Sequence, residues 1–378
     1  MVDGADPAGT FDDGCVDSAV RFSGCTVHLH TLLNEKNGHQ MQSQPKVAKP
    51  RSGILNLVLL VLGLGFMAWT LSSNWSVLEE VFSRPIQYPY LIIGFGLVTT
   101  AAVISFVRWY ALVRMLGVPF RLMDSLRLSF VGAFFNLVIP GAVGGDLVKA
   151  AYLSRMNLPR TQAITTLLVD RIVGLLGLFF LASVTALAGW SELSPAIQRL
   201  GIFAMLMSLA GSVGLAVILL DLPTKLLPKL ATSPGKLGIL IRELSSLSRS
   251  YCKRWPGLVA AVLVSGLCHA MTSMACYMVG LALFPNFQVG LSKHLLIFPL
   301  VLFSTAVPLP FGALGFSEEI SDQLFQLVGH PSGAVAMMGY RVLMYSFSLL
   351  AMVVYLWNIN SIRDLTRQAE AMEESVVV

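Results

Sequence analysis

The stretch Asn136-Leu-Val-Ile-Pro-Gly-Ala-Val-Gly-Gly-Asp-Leu-Val-Lys149 constrains the chain more than any other. It is an apolar run that breaks at Pro140 and Gly141, opens at Gly144 and Gly145, and closes on Asp146 and Lys149. Proline removes a backbone donor and blocks a helical turn. Paired glycines leave the backbone free to turn and let another group approach it. In water this pattern would be a surface turn. Here it lies among long apolar segments, and a broken backbone at membrane depth is tolerated only against protein or a water-filled cavity. The break is therefore a candidate site.

Composition sets that context. Of 378 residues, 55% are hydrophobic and 12% charged, with a mean hydropathy of +0.71. Soluble domains carry roughly 25% charge, so the chain belongs in a membrane. The net charge of +5 is modest and fits basic cytoplasmic loops rather than nucleic-acid binding. Cys15, Cys25, Cys252, Cys268 and Cys276 form no CxxC or metal spacing, so neither a disulfide framework nor a zinc site is expected. His28 and His30 near Cys25 sit in a segment with no other structural signal.

Residues 1–50 are polar and lack a signal-peptide core. They are expected to form a disordered cytoplasmic tail, with Met41 as an alternative start. Full spans are expected at Ile54–Leu71, Tyr90–Val107, Ala163–Trp190, Leu200–Leu220, Leu258–Phe284 and Ala334–Trp357. The loop after the second span holds Arg108, Arg114, Arg121 and Arg127, and the loop Asp221–Pro256 holds seven basic residues against two acids. By the positive-inside rule both are cytoplasmic. The run Leu128–Val143 would be about 24 Å long as a helix, short of a hydrocarbon core of about 30 Å, and is basic on both flanks. It reads as a re-entrant hairpin. Treating it as a full span would put the Asp221–Pro256 loop outside, against its charge. A short loop with Lys293 and His294 precedes a second broken run, Leu295–Phe316, interrupted by Pro299, Pro308, Pro310 and Gly312. A charged tail, residues 361–378, ends the chain.

The two broken runs echo one another. Pro140…Asp146 resembles Pro310…Glu318, and the span after each carries an arginine: Asp170-Arg171 and Tyr340-Arg341. Pro310 lies 170 positions after Pro140, Glu318 172 after Asp146, and Arg341 170 after Arg171. The second and fifth spans are offset by about 168. Each half (51–195 and 196–360) then has three crossings and a hairpin, which inverts the second half relative to the first. The expected fold is an all-α polytopic membrane protein with six full spans and two re-entrant broken-helix hairpins in two inverted repeats, a plan shared by many secondary transporters.

Charges within spans cost about 2.5–3.5 kcal/mol each on insertion scales, so Asp170, Arg171 and Arg341 need compensation. One reading is structural: ion pairs such as Arg171 with Glu318, or Arg341 with Asp146, joining the halves. The other is functional: the guanidinium groups hold an anion, aided by backbone donors at Gly144 and Gly145. Asp146 and Glu318 would bind a cationic headgroup, take a proton or orient the arginines. Asn136 would cap the broken helix or contact substrate. No P-loop follows PGAVGGD, because GK[ST] is missing. HExxH, GxSxG and a DxD-type loop pair are also missing, so an enzyme is not expected. His269, beside Cys268, is read as a packed or hydrogen-bonded histidine.

The pattern Phe135-Asn136…Pro140…Gly144-Gly145-Asp146-Leu-Val-Lys149…Tyr152…Arg155 with Asp170-Arg171, and Pro308-Leu-Pro310-Phe-Gly312-Ala-Leu-Gly315-Phe-Ser-Glu318 with Arg341, resembles the lysylphosphatidylglycerol synthase transmembrane region, also called the flippase-like or UPF0104 family. The resemblance covers about Ile54–Trp357. It implies handling or translocation of a lipid, a phospholipid or a polyprenyl-phosphate type, in a cell inner membrane. Lys149 stands where many members have arginine. Synthase members add a soluble aminoacyl-transferase domain after the membrane region. This sequence has about 20 residues past its last span, so aminoacyl transfer is not expected of it, and a separate lipid-modifying enzyme is a possible partner. The expected site has Arg171 and Arg341 on a lipid phosphate, the Gly144–Gly145 and Gly312–Gly315 turns lining the headgroup cavity, and Asp146 and Glu318 pairing with the arginines when it is empty. Asp170, Lys149 and Asn136 complete the set. No cofactor, metal or nucleic acid is called for. The alternatives are a membrane enzyme or accessory subunit of polyprenyl-linked glycan assembly, using the basic Lys225–Arg254 loop, and a membrane scaffold whose buried charges are purely structural.

Overall fold

The computed structural model describes residues 74–117, 120–138, 160–226, 228–233, 235–284, 289–306 and 313–357, together with Gly65, Ala68, Trp69, Ser72, Gly145, Asp146, Lys149, Leu153 and Asn286. Both expected tails, most of the first expected span, and the Pro140–Gly144 and Pro308–Gly312 breaks lie outside the described residues. Among these residues every element of secondary structure is a helix, joined by turns.

A short helix α1 (Trp75–Ser83) leads into α2 (Tyr88–Arg114), with Pro89 in its first turn, where a missing N–H costs nothing. Then come α3 (Leu122–Val138), α4 (Arg160–Ala188) and α5 (Pro195–Leu219). Three amphipathic or short pieces follow: α6 (Leu222–Leu226), α7 (Pro228–Ala231) and α8 (Lys236–Tyr251). The chain continues as α9 (Trp255–Leu283), α10 (Leu291–Ser304), α11 (Phe316–Gln326) and α12 (Gly333–Trp357).

Five helices, α2, α4, α5, α9 and α12, are long and apolar enough to cross a membrane, which makes this a multi-pass membrane protein. The others are too short. The 17 residues of α3 reach about 25 Å at 1.5 Å per residue, and α10 and α11 have 14 and 11 residues.

Lipid supplies no hydrophobic drive between helices, so close backbone approach through small residues does that work. Helix α9 packs against α2, α4, α10 and α12. At the α4–α9 crossing, a Cβ on Gly177 would stand 2.4 Å from Ser265 Cβ. The main core joins both halves of the sequence: Val98, Phe179 and Ala182 share one cluster with Ala275, Phe298, Phe325, Tyr340 and Phe347. Exposed apolar stripes face outward instead, as with Val259, Leu263 and Leu267 on α9.

The structure corrects three expectations. The segment Asp221–Pro256 is largely helical rather than a loop, because α8 packs against α4 and α5. Ser248 Oγ donates to Leu219 O at 2.8 Å, and Tyr251 Oη to Leu112 O at 3.1 Å. Arg254 donates to the carbonyls of Arg114 and Met115 at the end of α2, as basic residues do at helix C-termini. Second, α2 runs seven residues past Val107 to Arg114, which places Arg108 inside the helix. Third, Lys293 and His294 belong to α10, and His294 is fully buried.

Candidate functional site

The bundle encloses a cleft of about 730 Å³. Its floor and walls come from α2, α3, α4, α9, α10 and α12 and from the segment carrying Gly145, Asp146 and Lys149. Apolar side chains such as Phe106, Leu178, Met337 and Phe347 alternate with the charged groups Arg108, Asp146, Lys149, Asp170, Arg171 and Arg341.

The arginines are held within their own halves. Arg171 Nε and Nη2 both donate to Asp146 Oδ2, at 3.0 and 2.6 Å. Arg341 Nε donates to Glu318 Oε1, and Arg341 Nη2 to Ser317 Oγ. The cross-half pairs Arg171–Glu318 and Arg341–Asp146 are therefore not formed. Each carboxylate lies near its arginine in the chain, 25 positions before Arg171 for Asp146 and 23 before Arg341 for Glu318.

The two pairs differ in exposure. The Arg171 and Asp146 side chains are 49% and 26% exposed, whereas those of Arg341 and Glu318 are 11% and 0%. The first is an open, exchangeable pair and the second a buried one. Glu318 is also a capping group: its Oε2 accepts the Gly315 N–H at 2.7 Å, and Ser317 Oγ lies 3.0 Å away. Gly315 has φ +80°, a conformation open to glycine at little cost. Neither Glu318 nor Gly315 lines the cleft. Gly315 is the N-cap of α11.

Asn136 holds the first broken segment in the same manner. Its Oδ1 accepts the Gly145 N–H at 2.7 Å, which is the capping reading. A Cβ on Gly145 would lie 2.6 Å from the carbonyl oxygen of Gly132, so the glycine permits backbone-to-backbone contact there. Gly144 and Gly312 lie outside the described residues.

Asp170 does not serve Arg171. It accepts from Arg108 Nη2 at 3.0 Å, and Arg108 Nη1 donates to Ser265 Oγ at 2.6 Å. In the sequence Arg108 reads as part of a basic loop because Arg114, Arg121 and Arg127 follow it. The apolar run continues through Trp109, Tyr110, Ala111, Leu112 and Val113, and that continuation is the signal that would have placed it inside the span. His269 lines the cleft with Nε2 3.2 Å from Gly174 O, consistent with a hydrogen-bonded histidine. Lys149 lines the cleft as well, its ammonium 4.4 Å from the ring centroid of Trp109.

Pairing at this depth offsets charges that would otherwise be costly. A phosphate presents the same acceptor geometry to a guanidinium as a carboxylate does. Among the described residues, no cluster of three or more His, Cys, Asp or Glu is placed to hold a metal.

The family described as lysylphosphatidylglycerol synthase TM region matches residues 54–351. A UPF0104 membrane protein of Methanocaldococcus jannaschii is 26% identical over 130 residues, 34% of this chain and 38% of that relative.

Proposed function

The chain belongs to the lysylphosphatidylglycerol synthase TM region family, and from that premise we propose that it translocates or handles a phospholipid or polyprenyl-phosphate-type lipid across a cell inner membrane. In this reading six full spans and two re-entrant hairpins form two inverted halves, with both termini cytoplasmic. The anionic headgroup enters the cleft while the acyl chains remain in the bilayer.

One observation carries the reading. Two arginine–carboxylate pairs at repeat-related positions, Asp146–Arg171 and Glu318–Arg341, present both arginines to one cleft between apolar walls. A scaffold needs compensated charges, but it does not need them on the walls of a cavity this size. Headgroup phosphate competes with Asp146 for Arg171, and with Glu318 for Arg341. Because the second pair is buried and shared with Ser317 and Gly315, it yields only when α11 shifts. Binding and movement are thereby coupled.

Mass spectrometry of lipids co-purified in mild detergent tests this. Wild type is expected to enrich one anionic lipid class over the bulk membrane, and correctly folded Arg171→Ala and Arg341→Ala are expected to lose it. Bulk lipid alone on the wild type would contradict the proposal.

A further inference from the structure

Positive charge is unevenly distributed along the cleft. Arg171 faces Asp146, Arg341 faces Glu318, and Arg108 faces Asp170. Lys149 has no such partner: among the described residues, no carboxylate stands within ion-pair distance of its ammonium. The carboxylates it senses most are Asp170 and Asp146, and each is already engaged by an arginine. Within residues 139–159 the sequence contains no acid besides Asp146. Among the described residues around this end of the cleft, three cations, Arg108, Lys149 and Arg171, therefore stand against two carboxylates, Asp146 and Asp170.

The ammonium rests on Trp109, which is fully buried. The indole face attracts a cation but carries no net charge, so it positions Lys149 without neutralising it. Two buried polar atoms on neighbouring cleft-lining residues, Arg108 Nε and Ser129 Oγ, also have no hydrogen-bond partner among the described residues.

The second half offers no equivalent. The offsets that relate the halves, 168 for the second and fifth spans, 170 for the arginines and 172 for the acids, carry Arg108 to Cys276, Asp170 to Tyr340 and Lys149 to Ser321. All three are buried and bear no formal charge. The excess cation belongs to one half alone.

We infer that Lys149, seated on Trp109 and backed by Arg108, is the primary anchor for a net-negative lipid phosphate, and that the arginine pairs act as secondary contacts. This rests on the lipid-binding reading above and gives it a polarity, since the phosphate docks against the first half. The bound group supplies the missing negative charge and oxygen acceptors for Lys149. A zwitterionic headgroup brings its own ammonium into a region already rich in cations and is disfavoured.

The test uses the full chain in nanodiscs of phosphatidylcholine with and without phosphatidylglycerol. Retained lipid is counted for wild type, Lys149→Arg, Lys149→Gln and Arg171→Gln. Wild-type lysines are mapped by reductive methylation in both discs, and in phosphatidylcholine discs with added inorganic phosphate. The expected result is phosphatidylglycerol enrichment in wild type and Lys149→Arg, falling about tenfold in Lys149→Gln, the loss of one charge-assisted contact. Lys149 is expected to be shielded from methylation only by phosphatidylglycerol. Undiminished enrichment in Lys149→Gln with loss in Arg171→Gln would overturn this inference and leave lipid binding standing. Shielding by inorganic phosphate but not by phosphatidylglycerol would overturn the lipid source. No enrichment in wild type would remove both readings. If Lys149→Gln does not fold, equal methylation of wild-type Lys149 in the two lipid discs overturns the inference by itself.

Discussion

Asp170 gives its carboxylate to Arg108, 62 positions earlier, and not to its chain neighbour Arg171. The two adjacent charges on α4 therefore do different work. Asp170 ties α4 to α2 inside the bundle, while Arg171 faces Asp146 at the mouth of the broken segment. Removing one partner of the Arg108–Asp170 pair strands a buried charge, at a cost of about 3–5 kcal/mol. Arg108→Leu and Asp170→Leu are each expected to lower the melting temperature sharply in detergent. The double variant is expected to recover most of the loss. Additive losses would show that the pair is not coupled.

Backbone contact at the first broken segment leaves no room for a side chain. A Cβ on Gly145 would lie 2.6 Å from Gly132 O, so Gly145→Ala is expected to displace the segment and reduce both stability and lipid retention. Asn136→Ala removes the acceptor for the Gly145 N–H and is expected to cost about 1 kcal/mol, with the amide left unsatisfied. Thermal unfolding followed by tryptophan fluorescence reads both. An unchanged midpoint in Gly145→Ala would show that the contact yields freely.

The α4–α9 crossing makes a comparable demand. Gly177→Val would drive a branched side chain into Ser265, whose hydroxyl holds Arg108. It is expected to destabilise the fold by more than the same change at Gly174, where a Cβ meets nothing within 4 Å. Comparing the melting temperatures of the two variants tests this.

His330, in the turn between α11 and α12, gives a pH dependence. Its Nδ1 accepts the Ser332 N–H at 3.1 Å, which requires the unprotonated nitrogen. Burial, with a smaller contribution from His294, holds its pKa down to about 3. The folded state thus keeps His330 neutral while the unfolded chain protonates it near its ordinary value of about 6.5. Stability is full above that value and falls as the pH drops from about 6.5 toward 3, by at most about 1.4 kcal/mol per pH unit for this group. His330→Phe is expected to flatten that slope in melting temperature against pH. An unchanged slope would place the acid sensitivity elsewhere.

Much of this was legible in the sequence. The apolar periods gave the long helices, and the Pro–Gly breaks with their following acids located Asp146, Glu318, Arg171 and Arg341. Composition does not reveal which carboxylate meets which arginine. The pairing within each half, Asp146 with Arg171 and Glu318 with Arg341, emerges only in the structure. Arg108 was hidden because a charge near a helix end and a charge in a loop look alike until the apolar run beyond it is followed to Val113. The amphipathic α8 looks like a loop in the sequence because its basic residues mask the apolar face that carries Tyr251 inward.

Movement of an anionic lipid between leaflets can be read with a dithionite-quenched label. Wild type, Lys149→Gln and Arg341→Ala are reconstituted into vesicles bearing a nitrobenzoxadiazole-labelled phosphatidylglycerol, and dithionite is added outside. Translocation by the protein carries quenching from the outer-leaflet share to nearly all the label in wild type, and much more slowly in both variants. Labelled phosphatidylcholine moves more slowly. Wild-type vesicles indistinguishable from protein-free ones, or variants that match wild type, would contradict it.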